Sequence, residues 1–139
     1  MIKLGLLGNN ISKSEMPNFI KKLGNEFDFE IKYELFDQTL KTNFNFKNFL
    51  SQIKEKNISG INVTFPFKEQ ALEHSIKLSE ETKLVKSTNL ILINESMTSY
   101  NTDYSGFLNT YKFNFNKEPS KLVILGGGGV GKSVCFALI

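Results

Sequence analysis

The feature that most constrains the fold is a repeated alternation between short apolar runs and longer segments with helical spacing of apolar residues. The runs at 2–8, 32–37 and 58–65 have the length of β-strands. The segments at 14–26 and 45–56 between them place apolar residues every three or four positions. This alternation predicts an α/β fold in which a mostly parallel sheet is flanked by helices. The length of 139 residues suffices for one compact domain.

The second half of the chain continues the pattern. Further helices are predicted at 67–75, 75–87 and 102–113, and short strands at 88–94 and 97–101. Pro66 suits the first turn of a helix, because its fixed φ is helical and its missing N–H would have no partner there. Lys68 is therefore expected in the first turn of a helix.

A glycine-rich segment, ILGGGGVGKS at 124–133, satisfies two phosphate-binding patterns at once. The P-loop spacing is met by Gly126, Gly131, Lys132 and Ser133, and the dinucleotide-binding spacing by Gly126, Gly128 and Gly131. In a P-loop the lysine would reach the nucleotide phosphates and the serine would hold Mg²⁺. In a dinucleotide turn the glycines permit a tight turn and a close approach of backbone to pyrophosphate. The preceding run KLVILG predicts a buried strand leading into this loop.

Charge and composition exclude several other classes of partner. The 17 basic residues are all lysine and are spread along the chain, and 14 acidic residues leave a formal net charge of +3. This distribution favours a solvated surface over a nucleic-acid partner. No apolar run has the length of a membrane span, so we expect no membrane partner and a cytoplasmic location. Cys135 is the only cysteine, which rules out an internal disulfide.

Four segments carry the strongest indication of function: GNNISKSEMP at 8–17, NVTFPFK at 62–68, STN at 87–89 and NTDYSG at 101–106. In this order, ahead of a glycine-rich turn, they resemble the shikimate dehydrogenase family, which includes quinate/shikimate dehydrogenases. The resemblance implies NADPH-dependent reduction of 3-dehydroshikimate to shikimate in aromatic amino-acid biosynthesis. It also favours the dinucleotide interpretation of the glycine loop and implies a small-molecule substrate and a monomer or homodimer.

The resemblance assigns roles to individual residues. Lys68 and Asp103 become the catalytic pair: an ammonium can donate a proton to a developing alkoxide, and a carboxylate beside it can orient that ammonium and bind a substrate hydroxyl. The implied substrate-binding residues are Ser14, Thr64 and Asn89, with Ser12 as a second serine of the first loop. The implied NADP-binding residues are Gly126, Gly127, Gly128, Gly129 and Val130, and no metal is expected.

The first loop departs from the family pattern. Counted without a gap, Asn10, Lys13 and Met16 stand where the family has Pro, His and a second Ser. Either Lys13 supplies a compensating charge for the substrate carboxylate or that part of the site is altered. The sequence thus leaves open a quinate/shikimate dehydrogenase and, from other classes, a non-catalytic substrate-domain fragment or a P-loop nucleotide-binding protein.

The same comparison divides the chain into three parts. Residues 1–103 are predicted to form the substrate-binding and catalytic domain, 104–118 a connecting helix and linker, and 119–139 the start of an NADP-binding Rossmann domain. A strand, a loop and the start of a helix do not make a complete nucleotide-binding domain, which needs several βα units. We therefore expect the last part to be truncated and this chain by itself to be inactive.

Overall fold

The structure is a computed structural model that describes residues 1–39, 43–115 and 121–139. Within these ranges the strands are β1 (Ile2–Gly8), β2 (Ile31–Asp37), β3 (Gly60–Val63), β4 (Lys77–Leu78), β5 (Leu90–Ile93) and β6 (Met97–Tyr100). The helices are α1 (Met16–Glu26), α2 (Phe46–Glu55), α3 (Gln70–Glu73), α4 (Glu80–Val85), α5 (Thr102–Asn114) and α6 (Gly129–Ala137). The predicted alternation of strands and helices is confirmed.

The described strands form one six-stranded sheet in the order β2-β1-β3-β5-β6-β4. β1 pairs in parallel with both β2 and β3, and β4 pairs in parallel with β6. The pairs β3 with β5 and β5 with β6 are antiparallel. The predicted fold class, a mostly parallel sheet flanked by helices, is therefore confirmed. Because parallel strands end at the same edge, the loops after β1, β2 and β3 lie side by side.

The hydrophobic core is one cluster that joins helix α2 to the strands. Helix α2 begins after Asn45, whose side chain accepts the Asn48 backbone N–H at 2.9 Å. The buried face of α2 carries Phe46, Phe49, Leu50 and Ile53, which share the core cluster with Leu7, Ile61, Val63 and Ile91 of the strands. Burial of these side chains supplies the main favourable free energy that holds the strands behind the polar loops.

Two predicted helices are shorter than expected. The Thr64 carbonyl accepts the Phe67 N–H at 2.9 Å, so the chain makes a tight turn after β3 and helix α3 begins only at Gln70. Lys68 therefore lies in a turn and not in a helix, which corrects the expectation from Pro66. The segment predicted as a helix at 75–87 contains strand β4 first, and α4 starts after Ser79, whose hydroxyl caps the Thr82 N–H.

The predicted buried strand at 121–126 is wrong for the described residues of that segment. No strand is assigned there, and Val123 and Leu125 are 85% and 96% exposed. An extended apolar segment becomes a buried strand only beside another strand that supplies hydrogen bonds and covers its side chains, and none of the described strands lies beside this one. Of the predicted Rossmann-type βα unit, the structure shows the glycine loop and the helix.

The predicted domain boundaries meet the structure at two places. The boundary after residue 103 falls within α5, which runs to Asn114. The end of the predicted linker and the first residues of the predicted third part, 116–120, lie outside the described residues. In the part of the chain that the structure describes, no helix is long and apolar enough to cross a membrane.

The core of the sheet provides a stability test. Ile61 in β3 is fully buried, whereas Ile76 is 67% exposed. We expect Ile61→Ala to lower the free energy of unfolding by about 2–5 kcal/mol, because it removes apolar contacts and leaves a cavity. Ile76→Ala, the matched control, should change it by less than about 0.5 kcal/mol. Urea unfolding followed by circular dichroism measures both, and equal losses would contradict the described core.

Candidate functional site

Lys68 and Asp103 form an ion pair across 35 positions of sequence. The Lys68 Nζ lies 2.5 Å from the Asp103 Oδ2, and the two side chains are 14% and 27% exposed. Partial removal from water strengthens the attraction between the charges but also costs solvation, so such a pair needs good geometry and further hydrogen bonds. The structure thus brings the two residues of the sequence-predicted pair into direct contact.

The turn after β3 fixes the position of Lys68. Phe67 is buried in the core and anchors the turn, and the Thr88 backbone N–H donates to the Lys68 carbonyl at 3.0 Å. Lys68 is therefore held on both sides of its Cα, by core packing before it and by a hydrogen bond at its carbonyl. The side chain lies beyond the carboxyl end of β3, at the sheet edge where loops meet.

Asn89 binds the other oxygen of the Asp103 carboxylate. Its Nδ2 donates to Asp103 Oδ1 at 3.0 Å and to the Thr102 hydroxyl at 2.8 Å, and its Oδ1 accepts the Thr102 N–H at 2.9 Å. The carboxylate is thus held by Lys68 on one oxygen and by an amide on the other. The predicted residue Asn89 belongs to the same cluster as the pair, and both of its N–H donors have partners within the protein.

Asn101 is a residue that the sequence reasoning missed. It is 2% exposed and is the N-cap of α5, where its Oδ1 accepts the Tyr104 N–H at 2.9 Å. Its Nδ2 donates to the Ser87 carbonyl at 2.7 Å. The cap fixes the start of α5 and with it Asp103 in the first turn. An asparagine just before a helix is a recognisable capping signal, so the sequence did contain the information.

The two ends of the glycine loop, at Gly126 and Gly131, lie close together. Gly126 has φ +111°, a conformation that favours glycine, and a Cβ on Gly131 would overlap the Gly126 carbonyl oxygen. Gly128 is the N-cap of α6, and it leaves the first N–H groups of that helix without a side-chain cap. Free N–H groups at a helix N-terminus are suited to binding phosphate. The loop therefore has the shape and the donors that a pyrophosphate group needs.

The glycine loop and Lys68 of the ion pair border the same cleft, which has a volume of about 590 Å³. Of the predicted site residues, it is lined by Thr64, Lys68, Gly126, Gly128, Gly129 and Val130. Apolar side chains, among them Phe65 and Ile124, form the rest of its wall. A cleft that is mostly apolar with a few polar groups is the usual form of a small-molecule site.

A family model for the shikimate dehydrogenase substrate binding domain matches residues 6–91. The chain belongs to the shikimate dehydrogenase family. It is 31% identical over 144 aligned residues to a Clostridium botulinum (strain Hall) shikimate dehydrogenase (NADP(+)), covering 99% of this chain and 53% of that one. The chain thus spans about half the length of the curated relatives it matches.

Two solved structures resemble the whole chain. A shikimate dehydrogenase from Peptoclostridium difficile superposes with a TM-score of 0.89 at 31% identity, over 99% of this chain and 51% of that one. A quinate dehydrogenase from Corynebacterium glutamicum, in complex with NAD, gives a TM-score of 0.87 at 27% identity, over 99% and 50% of the chains. The described fold is therefore that of the family, including the first turns of the glycine-rich part.

The two predicted serines of the first loop are not among the residues that line this cleft. Ser12 is exposed, and Ser14 is half-buried with its hydroxyl accepting the Met16 N–H at 3.3 Å. Among the residues that the structure describes, neither serine bonds to the Lys68–Asp103 pair. Their predicted contact with substrate stays a prediction.

Asp37 anchors the first loop and was also missed from sequence. Its carboxylate accepts the Asn10 N–H at 3.2 Å and the Ile11 N–H at 3.0 Å, and it also binds Thr39. Asp37 ends β2 directly beside Gly8 at the end of β1. The parallel pairing of these two strands, which sequence could not establish, is what makes the contact possible.

Lys132 and Ser133 occupy other places than a P-loop would require. The Lys132 ammonium pairs with Glu69. The Ser133 hydroxyl is fully buried and lies within hydrogen-bond distance of the Asn101 Oδ1 and the Gly129 carbonyl, at 3.1 and 2.9 Å. A Mg²⁺-binding serine would have to face the phosphate side of the loop. In the described ranges, no group of three His, Cys, Asp or Glu residues is arranged to hold a metal ion.

Acid titration tests the anchoring of the first loop. Hydrogen bonds from the Thr39 side chain and backbone hold the pKa of Asp37 below its ordinary value of 3.8. A carboxyl with a lowered pKa in the folded state stabilises the fold above its unfolded pKa, and that contribution is lost as the pH falls through the folded value. Asp37→Asn should therefore lower the urea midpoint above about pH 5, and the gap to wild type should close below pH 3.8.

Urea titrations at a series of pH values, followed by circular dichroism, measure this gap. Asp28→Asn is the control, because it removes the same charge from an exposed turn. A gap for Asp37→Asn that is the same at every pH would show that its carboxylate charge does not hold the loop.

Proposed function

We propose that the protein containing this chain is an NADP-dependent shikimate dehydrogenase that interconverts 3-dehydroshikimate and shikimate, with Lys68 and Asp103 as its catalytic pair. The observation that carries the proposal is the direct Lys68–Asp103 contact at the edge of a cleft that the glycine loop also lines. A proton donor beside a dinucleotide-binding loop is the arrangement that carbonyl reduction needs. Membership in the family supports the same conclusion.

The chemistry of the pair follows from its charges. Reduction places negative charge on the carbonyl oxygen of the substrate, and the Lys68 ammonium can donate a hydrogen bond to that oxygen and then a proton. Asp103 holds the ammonium in place through its Oδ2 and stabilises its positive charge. In the oxidative direction Lys68 accepts the hydroxyl proton of shikimate. The limited exposure of both side chains raises the strength of these interactions relative to bulk water.

Substrate orientation is proposed for short polar side chains around the pair. Thr64 lines the cleft next to Lys68, and Asn89 contacts Asp103. We propose that Ser14 and Ser12 bind the substrate carboxylate from the first loop. Neutral hydroxyl and amide groups suit a ligand with a carboxylate and several ring hydroxyls, because they can donate or accept as the ligand requires.

NADP is proposed to bind at Gly126, Gly127, Gly128, Gly129 and Val130. The fit rests on the tight Gly126–Gly131 approach and on the uncapped N-terminus of α6. When bound, the nicotinamide cofactor supplies the hydride. All of these residues except Gly127 line the cleft that Lys68 borders.

We also propose a domain organisation for the chain. Residues 1–103 would form the substrate-binding and catalytic domain, 104–118 the connection, and 119–139 the beginning of the NADP-binding domain. A protein of this kind needs a small-molecule substrate and neither nucleic acid nor a membrane. We propose a cytoplasmic location and a monomer or homodimer.

A second candidate substrate is quinate. The departures at Lys13 and Met16 in the first loop, together with the similarity to a quinate dehydrogenase, favour testing it. The kcat/KM values for shikimate and quinate, measured with NADP⁺ and with NAD⁺ in the complete protein, decide between the two. Turnover of neither substrate would overturn the proposed activity and leave a non-catalytic substrate-domain protein or a nucleotide-binding protein.

Substitution of the pair tests the proposed chemistry. In the complete protein, Lys68→Ala and Asp103→Asn should each lower kcat for NADP⁺-dependent shikimate oxidation by about 10²–10⁴-fold, the usual contribution of a positioned acid or base. The NADPH absorbance measures the rate. Lys47→Ala and Asp28→Asn, exposed residues away from the cleft, are the controls and should leave kcat within about twofold. Values within a few-fold of wild type for both pair variants would contradict the assignment.

Substitution in the glycine loop tests the cofactor site separately. A Cβ at residue 131 meets backbone atoms of Gly126, which cannot move aside without opening the loop. Overpacking of this kind costs about 1–3 kcal/mol, so Gly131→Ala should raise the KM for NADP⁺ by about tenfold or more while the KM for shikimate stays within about twofold. Gly106→Ala is the control, because an added Cβ there meets nothing within 4 Å. Equal effects on both KM values would argue against cofactor binding at this loop.

A further inference from the structure

Helix α6 lies against Lys68 at Gly129 and bonds through Ser133 to Asn101, the N-cap of the helix that carries Asp103. Ser133 was singled out by the P-loop spacing, yet its side chain is fully buried. Its hydroxyl lies 3.1 Å from the Asn101 Oδ1 and 2.9 Å from the Gly129 carbonyl, so one O–H is shared between two acceptors. The bond to Gly129 is the ordinary back-bond of a helical serine, whereas the bond to Asn101 joins two helices.

Asn101 connects Ser133 to the helix turn that carries Asp103. Its Oδ1 accepts both the Tyr104 N–H of α5 and the Ser133 hydroxyl, and its Nδ2 donates to the Ser87 carbonyl. The oxygen and the nitrogen of this buried amide therefore both have partners within the protein. The Asn101 cap fixes the position of the first turn of α5, which carries Asp103. A change at Ser133 removes a hydrogen bond from this cap and therefore affects the position of that turn.

The same helix touches Lys68 at its first residue. A Cβ on Gly129 would lie 2.6 Å from the Ser87 hydroxyl and 3.1 Å from the Lys68 Cδ. The backbone of α6 therefore packs against the alkyl chain of Lys68 at the N-terminal end of the helix, directly after the glycine loop. The two contacts of α6 lie four residues apart, about one turn of helix; the first is with Lys68 and the second is with Asn101, two residues before Asp103.

We propose that Ser133 is a positioning residue, which ties the glycine-loop helix to the Asn101 cap and thereby sets the geometry of the Lys68–Asp103 pair. The inference rests on the proposed function, since it concerns the same pair. Its consequence is that the cofactor loop and the proton-donating pair are positioned by one helix. A displacement of the glycine loop would therefore also displace the Lys68–Asp103 pair.

Ser133→Ala in the complete protein is the direct test. We expect kcat for shikimate oxidation to fall about 3- to 10-fold, the range expected for one hydrogen bond, while the KM for shikimate stays within about twofold. In an Asp103→Asn background the same substitution should cost less than about twofold, because the group that it positions is already disabled. Cys135→Ala, on the same helix and half-buried, is the control and should leave kcat within about twofold.

A spectroscopic measurement separates this inference from the proposed function. The side-chain carboxyl ¹³C resonance of Asp103, assigned by its loss in Asp103→Asn, should shift in Ser133→Ala and not in Cys135→Ala. If Ser133→Ala does not fold, Ser133→Cys keeps the size of the side chain with a weaker donor and should shift the resonance in the same direction. An unchanged resonance and unchanged kcat, or equal changes in both helix variants, would overturn the inference. Absence of turnover in wild type would overturn the function, while the resonance would still decide the role of Ser133.

Discussion

The Lys68–Asp103 ion pair depends on a set of backbone and amide hydrogen bonds that tie three separate segments together at one edge of the sheet. Thr88 donates to the Lys68 carbonyl, and Asn89 donates to the Asp103 carboxylate. Asn101 donates to the carbonyl of the residue before Thr88. A partly desolvated ion pair is favourable only where such bonds replace the lost water. The segment 87–89, which takes part in all of these bonds, therefore determines whether the ion pair can form.

The change from parallel to antiparallel pairing within the sheet explains why that segment is central. β5 begins directly beside the end of β3, with Asn62 opposite Leu90, and Leu90 in turn lies opposite Tyr100 at the end of β6. Asn62, Leu90 and Tyr100 thus form one row across three strands. The turn with Lys68, the segment 87–89 and the start of α5 all lie next to this row. A purely parallel sheet would place the beginning of β5 at the opposite edge, far from the end of β3. The antiparallel pairs are what bring an ammonium and a carboxylate from distant positions into contact.

The sequence predicted well what depends on local periodicity and on motifs. Strand β1 and helices α2 and α5 agree with their predicted ranges to within a few residues, because apolar spacing determines which face is buried. The predictions failed where the local structure depends on a contact with another part of the chain. Lys68 lies in a turn because the Thr64 carbonyl binds an N–H three residues on, and the run at 121–126 lacks a neighbouring strand among the described residues. The contribution of Asp37 depends on which strands pair, and sequence periodicity carries no information about that.

The glycine-rich segment shows why spacing alone left two interpretations. Both patterns require glycine at the same backbone positions, and the close approach of Gly131 to Gly126 satisfies either. The patterns differ in what the two side chains after the last glycine must do, and these are engaged elsewhere: Lys132 with Glu69 and Ser133 with Asn101. Both partners belong to segments next to the ion pair. The two side chains that match the P-loop pattern thus attach the helix of the loop to residues near the ion pair. The donors that the loop leaves free for a ligand are backbone N–H groups at the start of α6.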